Sequence, residues 1–157
     1  MIIACDKIPI FNKICDNLYL GDIVAAENIE LLKENNIESV ICLVKENYKR
    51  YDLRYYDFPI DDNRNENIYD MFEKTNKIIS ENKNVFVHCQ NAVSRSVTIV
   101  LAYLLYTGIN LKDALSKLKE NRKTFTRPNF GFARQLLRYE YSLFDKNSIT
   151  LEEILKI

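Results

Sequence analysis

Chemistry in this chain concentrates in one stretch, Val85-Phe86-Val87-His88-Cys89-Gln90-Asn91-Ala92-Val93-Ser94-Arg95-Ser96. Its start is apolar and β-branched, as a buried strand is, and from Ser96 onward the chain has the composition of a buried helix. A nucleophilic cysteine therefore stands at the carboxyl end of a strand, where ligands bind in open α/β sheets. If residues 90–95 curl back over Cys89, their backbone N–H groups line an anion-binding nest. The helix starting near Arg95 adds its positive end. Such a field favours a thiolate at neutral pH. Arg95 supplies a planar fork matched to two phosphate oxygens. A thiolate below a bound phosphoryl group, ringed by donors, is built for transfer of phosphorus to sulfur. A Cys/His protease pair does not fit. His88 is the only imidazole in the chain, and adjacent strand residues point to opposite faces. His88 is expected to turn inward and brace the loop.

The elements that must hold this segment alternate between strand and helix. Residues 17–21 form a short strand closed by Gly21, and Asp22 is a candidate N-cap for a helix through Ala25 to Leu32. Residues 38–44 read as a buried parallel strand, and 54–60 as an edge strand that exits at Pro59. Residues 61–67 are a polar loop. Ile68, Phe72, Thr75, Ile78 and Ile79 recur at helical spacing. The helix from Ser96 ends at Gly108, which has the position of a C′ residue. Leu111, Ala114, Leu115 and Leu118 mark another helix, residues 130–144 a long one, and Thr150-x-x-Glu153 a capping box for a tail helix. The pattern predicts a single α/β domain whose central, mostly parallel sheet has helices on both faces.

Composition removes other classes. At 157 residues the chain fits one domain, and 22 Lys+Arg against 22 Asp+Glu leave no net basic footprint for nucleic acid. Three glycines (Gly21, Gly108, Gly131) allow neither GxGxxG nor GxxxxGK[ST], so no nucleotide cofactor is implied. One histidine and four scattered cysteines form no CxxC or HExxH, so no metal is expected. The longest apolar run, residues 97–106, is about half of a ~20-residue membrane span. The N-terminal sequence lacks the look of a secretory signal, and Ile2 excludes N-myristoylation. The expectation is a protein of the cytosol or nucleus with reduced thiols.

The motif His88-Cys89-…-Arg95-Ser96 resembles the HCxxxxxR-Ser/Thr signature of the cysteine-dependent protein tyrosine phosphatases, and within them the small dual-specificity phosphatases. The likeness extends over residues 14–144. Leu18-Tyr19-Leu20-Gly21 with Ala25-Ala26-x-Asn28 is similar to the family's opening strand and helix, and residues 37–43 to its second strand. Ala102-Tyr103-Leu104, Gly108, Ala114-x-x-x-Leu118-Lys119 and Arg122 follow the two helices after the loop. Pro128-Asn129-Phe130-x-Phe132-x-x-Gln135-Leu136 resembles the start of the last helix. The resemblance implies a catalytic domain over 14–144, with an extension at 1–13 and a tail helix in 145–157. It implies metal-independent hydrolysis of phosphotyrosine and phosphoserine/threonine on phosphoproteins. Cys89 becomes the phosphocysteine, Arg95 clamps phosphate, and Gln90, Asn91, Ala92, Val93 and Ser94 supply the binding loop. Ser96 hydrogen-bonds the sulfur and helps it leave. Phe58-Pro59-Ile60-Asp61-Asp62 matches the family's acid-loop frame and makes Asp62 the general acid, with Asp61 as second choice.

Two departures bear on rate. Asn91 and Ala92 stand where family loops carry Ala-Gly. Should position 92 take a positive φ, its Cβ adds roughly 1–2 kcal/mol of strain, and the expectation is an active but slower enzyme. The same chemistry could serve a phosphoinositide or an RNA 5′-phosphate, although the uncharged loop residues speak against both. A pseudophosphatase that binds phosphoproteins without turnover is the remaining alternative. Lys45, Lys49, Arg50 and Arg54 could read acidic substrate flanks or be a solvated face, and Arg122 and Arg127 could hold a second phosphate or be ordinary surface arginines. Cys5, Cys15 and Cys42 are expected to be buried hydrophobes, and Tyr48, Tyr51, Tyr55 and Tyr56 packing residues.

Overall fold

The computed structural model describes residues 7–157, which leaves Cys5 outside the described part. Five strands form one sheet: β1 (Phe11–Cys15), β2 (Leu18–Gly21), β3 (Ser39–Cys42), β4 (Arg54–Asp57) and β5 (Val85–His88), in the order β1-β2-β5-β3-β4. β2, β5, β3 and β4 run parallel and β1 pairs antiparallel with β2. β2, β3 and β5 are buried along their whole length, as the continuous apolar runs require. β5 lies between β2 and β3, so the chain leaves its carboxyl end in mid-sheet, and that is where Cys89 stands.

Two short helices, α1 (Ile23–Ala26) and α2 (Ile29–Glu34), cover one face with Tyr19, Val40 and Phe86. One continuous helix was expected there. Asn28 divides it, because its side chain accepts from Leu31 N and caps a new helix. The other face carries α3 (Phe72–Glu81), α4 (Arg95–Tyr106), α5 (Leu111–Glu120), α6 (Phe130–Phe144) and α7 (Leu151–Leu155), with Leu18, Leu20, Ile41, Val85 and Val87 beneath them. A 3-10 turn, Tyr69–Met71, leads into α3. α4 is central, packing on α3, α5, α6 and the sheet, which is why it is apolar almost all round.

β1 begins at Phe11, inside the stretch expected to be an extension. Its period is hard to see because a register shift falls between Lys13 and Cys15, while Phe11 and Ile14 go to opposite cores. Gly21 permits the close approach of the end of β2 to the residue before β1, since a Cβ there would lie 2.3 Å from the Ile10 carbonyl. Gly108 takes φ +106° after α4 and Thr150 forms its capping box, both as expected. The tail is anchored by buried Glu140. Its carboxylate accepts from Leu111 N, Ser148 N and Oγ, and Asn147 Nδ2, and so joins α6 to the start of α5 and to the segment before α7.

Candidate active site

Residues 89–95 form a cup whose walls are held from outside. The Gln90 carbonyl accepts from Ile23 N at the start of α1 (3.3 Å), and the Val93 carbonyl from Arg127 N (3.1 Å). The Ser94 carbonyl accepts from Thr98 N and Oγ1, and the Ala92 carbonyl from Arg122 Nη2 at 2.6 Å. With the carbonyls turned outward and bonded, the amides face the other way. Among the described residues, no N–H of residues 90–95 donates to a protein acceptor. α4 also begins without a side-chain cap, because Ser94 Oγ instead accepts from Asn129 N at 2.8 Å. Uncommitted amides converging at a helix N-terminus are an anion site.

Cys89 lies at the floor, 2% exposed, with Ser96 Oγ 3.0 Å from its sulfur. Arg95 donates through Nη1 to the Ile60 carbonyl at 2.8 Å, which fixes the plane of the guanidinium and leaves Nε and Nη2 for a ligand. Ala92 sits fully buried at φ +57°. The backbone conformation that favours glycine is therefore present without glycine, which meets the condition for strain at position 92.

The loop after β4 is tied to the cup at two points. Ile60 receives Arg95, and Asp62 Oδ1 accepts from Asn129 Nδ2 at 2.9 Å. Asn129 thus bridges Asp62 to Ser94 while its Oδ1 caps α6 through Phe132 N. Asp61 is occupied differently: Lys45 Nζ sits 2.8 Å from its carboxylate and holds its pKa below the usual range. A carboxyl held as the anion is a poor proton donor, and Asp62 has only the neutral amide of Asn129 as a side-chain partner among the described residues.

His88 faces the α1/α2 side, away from Cys89. Its Nε2 meets Tyr48 Oη at 2.8 Å and its Nδ1 the Cys89 carbonyl at 3.3 Å. Burial lowers its pKa to about 4, so it is neutral at physiological pH and serves as a brace. Arg122 does not stand ready for a second phosphate. It is buried, and besides Ala92 it donates to Asn12 Oδ1 (3.0 Å) and Thr126 Oγ1 (2.9 Å). Burial lowers its pKa, and nearby Cys89 acts in the opposite direction. Arg127 is likewise engaged, at the Leu155 carbonyl. In the basic cluster Lys45 pairs with Asp61, Arg50 with Asp57, and Arg54 donates to Asn82. Cys42 is buried, paired in register with His88 on the neighbouring strand.

The family described as "Dual specificity phosphatase, catalytic domain" matches residues 18–142. Dual specificity protein phosphatase 21 of Homo sapiens is 33% identical over 148 residues, spanning 90% of this chain and 77% of its own length. Dual specificity protein phosphatase 18 of Homo sapiens is 34% identical over 145 residues, 88% of this chain and 77% of its own. The fold is shared with the crystal structure of human DUSP28, at TM-score 0.79 and 24% identity, over 89% of this chain and 99% of that one. The chain belongs to the dual specificity phosphatases. It is a protein phosphatase, and phosphoproteins are its substrates.

Proposed function

We propose that this phosphatase works through Cys89 in two in-line steps, with Asp62 as the group that gives and takes the proton. In the first step the Cys89 thiolate attacks phosphorus while the bond from phosphorus to the leaving oxygen breaks. Asp62 protonates that oxygen, so a neutral tyrosine, serine or threonine hydroxyl departs. The amides of residues 90–95 and the Arg95 fork receive the equatorial oxygens as charge spreads over them. In the second step a water oxygen attacks phosphorus and gives its proton to Asp62. The sulfur–phosphorus bond breaks, the thiolate returns, and inorganic phosphate leaves. Ser96, 3.0 Å from the sulfur, donates to the departing thiolate.

The carrying observation is the cup itself: outward carbonyls bonded, inward amides uncommitted, and Cys89 beneath them. Hydrolysis of p-nitrophenyl phosphate tests it. Wild type is expected to turn over with or without a chelator, and Cys89→Ser to fall to background. Activity surviving in Cys89→Ser would overturn the mechanism, and a wild type that binds phosphate without hydrolysing it would favour a binding module.

A further inference from the structure

One face of α3 is left open beside the ends of α4 and α6. Phe72, Glu73, Asn76, Lys77, Ser80 and Glu81 follow one another at helical spacing and line one wall of a hollow of about 650 Å³. Tyr106 at the end of α4 and Tyr139 on α6 line the rest, with Tyr69 and Asp70 of the 3-10 turn. Because the lining positions run through all of α3, the hollow is a groove roughly 15 Å long. Its aromatic residues are packed on one another: the Tyr139 ring is 5.7 Å from Tyr69 and 5.0 Å from Phe72. Tyr106 is 55% exposed, so the groove opens to solvent.

Two independent features of this groove point to the same kind of ligand. Asn76 is 2% exposed in the middle of α3, and its Nδ2 donates to Tyr139 Oη at 2.9 Å. Its Oδ1 is the only buried side-chain polar atom among the described residues that has no hydrogen-bond partner. A buried acceptor left open in this way calls for a donor. The second feature is charge. Asp70, Glu73 and Glu81 stand against Lys77 along the groove, and among the described residues none of the three acids is in an ion pair. The charge of Glu73 reaches Tyr139. Arg138 already lies over the Tyr69 ring at 4.1 Å, so this aromatic wall accepts a guanidinium. Unpaired carboxylates, aromatic faces and an open acceptor together suit a cation that donates hydrogen bonds, as arginine and lysine side chains do.

We infer that the groove between α3 and the Tyr106–Tyr139 wall docks a basic segment of the phosphoprotein substrate, laying an arginine or lysine on the aromatic rings and donating towards Asn76. The inference rests on the cup above Cys89 as the place where the phosphorylated residue sits. At about 1.5 Å rise per residue, Tyr139 stands roughly 15 Å along α6 from Asn129, the residue that holds Asp62 beside the cup. An extended peptide advances about 3.3 Å per residue, so the basic residue belongs roughly four to six residues from the phosphorylated one.

The experiment compares kcat/KM on a phosphotyrosine peptide with neutral flanks and on the same peptide with one arginine four, five or six residues to either side. Wild type is expected to favour at least one arginine peptide about five-fold or more, through KM. Glu73→Gln/Glu81→Gln and, separately, Tyr106→Ala are expected to bring that ratio towards one. Glu30→Gln/Glu34→Gln on α2, an equal loss of charge elsewhere, is expected to keep it. Hydrolysis of p-nitrophenyl phosphate, too small to reach the groove, should be the same in all of them and reports on the cup alone. A wild-type ratio near one at every placement, a ratio that survives Glu73→Gln/Glu81→Gln, or a ratio lost equally in the α2 variant overturns the groove while leaving the Cys89 mechanism standing. Activity surviving in Cys89→Ser overturns that mechanism, and the ratio still reads the groove because it compares two substrates of one enzyme.

Discussion

At the scale of single residues, the loop carries a backbone conformation that its sequence makes costly. Ala92 holds φ +57° where glycine would be unstrained, at roughly 1–2 kcal/mol. Ala92→Gly is expected to raise kcat/KM on an aryl phosphate several-fold and to leave thermal stability equal or higher; an unchanged or lower kcat/KM would remove Ala92 as a brake. The two neighbouring aspartates should separate cleanly. Asp61 is held as the anion by Lys45, and Asp62 is held on Asn129 beside the cup. Asp62→Asn is expected to lower kcat about 10²–10⁴-fold on an alkyl or phenyl phosphate and less on p-nitrophenyl phosphate, whose leaving group needs less protonation. Asp61→Asn should stay within about three-fold. The opposite ranking would exchange their roles. Cys89 and Arg95 were legible as candidates because apolar composition puts one at a strand end and the other at a helix start, whereas the role of Ser96 came only with the family resemblance. Asn129, by contrast, is invisible as a link to Asp62, since a helix-capping asparagine looks the same whatever its amide reaches.

At the scale of elements, the cup is shaped from behind by α1, by α6 and by the segment between α5 and α6. Arg122 spends three donors there, one on the carbonyl of the strained residue. Removing it leaves a buried carbonyl unsatisfied, a loss of about 1–3 kcal/mol. Arg122→Gln is therefore expected to weaken inhibition by inorganic phosphate about ten-fold at a temperature where the variant is folded, and Arg122→Lys to recover part of it. Unaltered phosphate affinity would reduce Arg122 to a purely structural residue. The sequence offered it only as a phosphate ligand or a surface arginine, because burial alone reveals that it faces the loop's back. The same limit explains β1: a register shift erases its alternation, so Phe11–Cys15 carries no period that marks it as a strand. The interior elements were legible because full burial writes itself into composition, as in β3, β5 and α4.

At the scale of the whole molecule, two buried titratable groups couple the fold to pH in the same direction. His88 has a folded-state pKa of about 4 against an ordinary 6.5, lowered first by burial. Its contribution is complete above pH 6.5 and is lost as pH falls from 6.5 to 4, because the unfolded chain binds the proton first. The loss is of order 3 kcal/mol. Glu140 follows at lower pH. Burial raises its pKa, but its hydrogen bonds to Ser148, Leu111 and Asn147 outweigh that and hold it below 4.5, so its contribution is lost below that value. Denaturant unfolding from pH 7 to 4 should show this decline, and His88→Asn should flatten it between 6.5 and 4; an equally steep decline in the variant would remove His88 as the cause.

These frames, the sheet that ends at Cys89 and the helices that bond the outward carbonyls, exist to present uncommitted amides around one sulfur. Rapid acid quench of Ser96→Ala during turnover, followed by mass spectrometry of the peptide that contains Cys89, tests this most directly. The expected result is one phosphoryl group on Cys89, accumulating because the departing thiolate has lost its donor. Continued turnover with no phosphoryl group on Cys89 at any time point would contradict it.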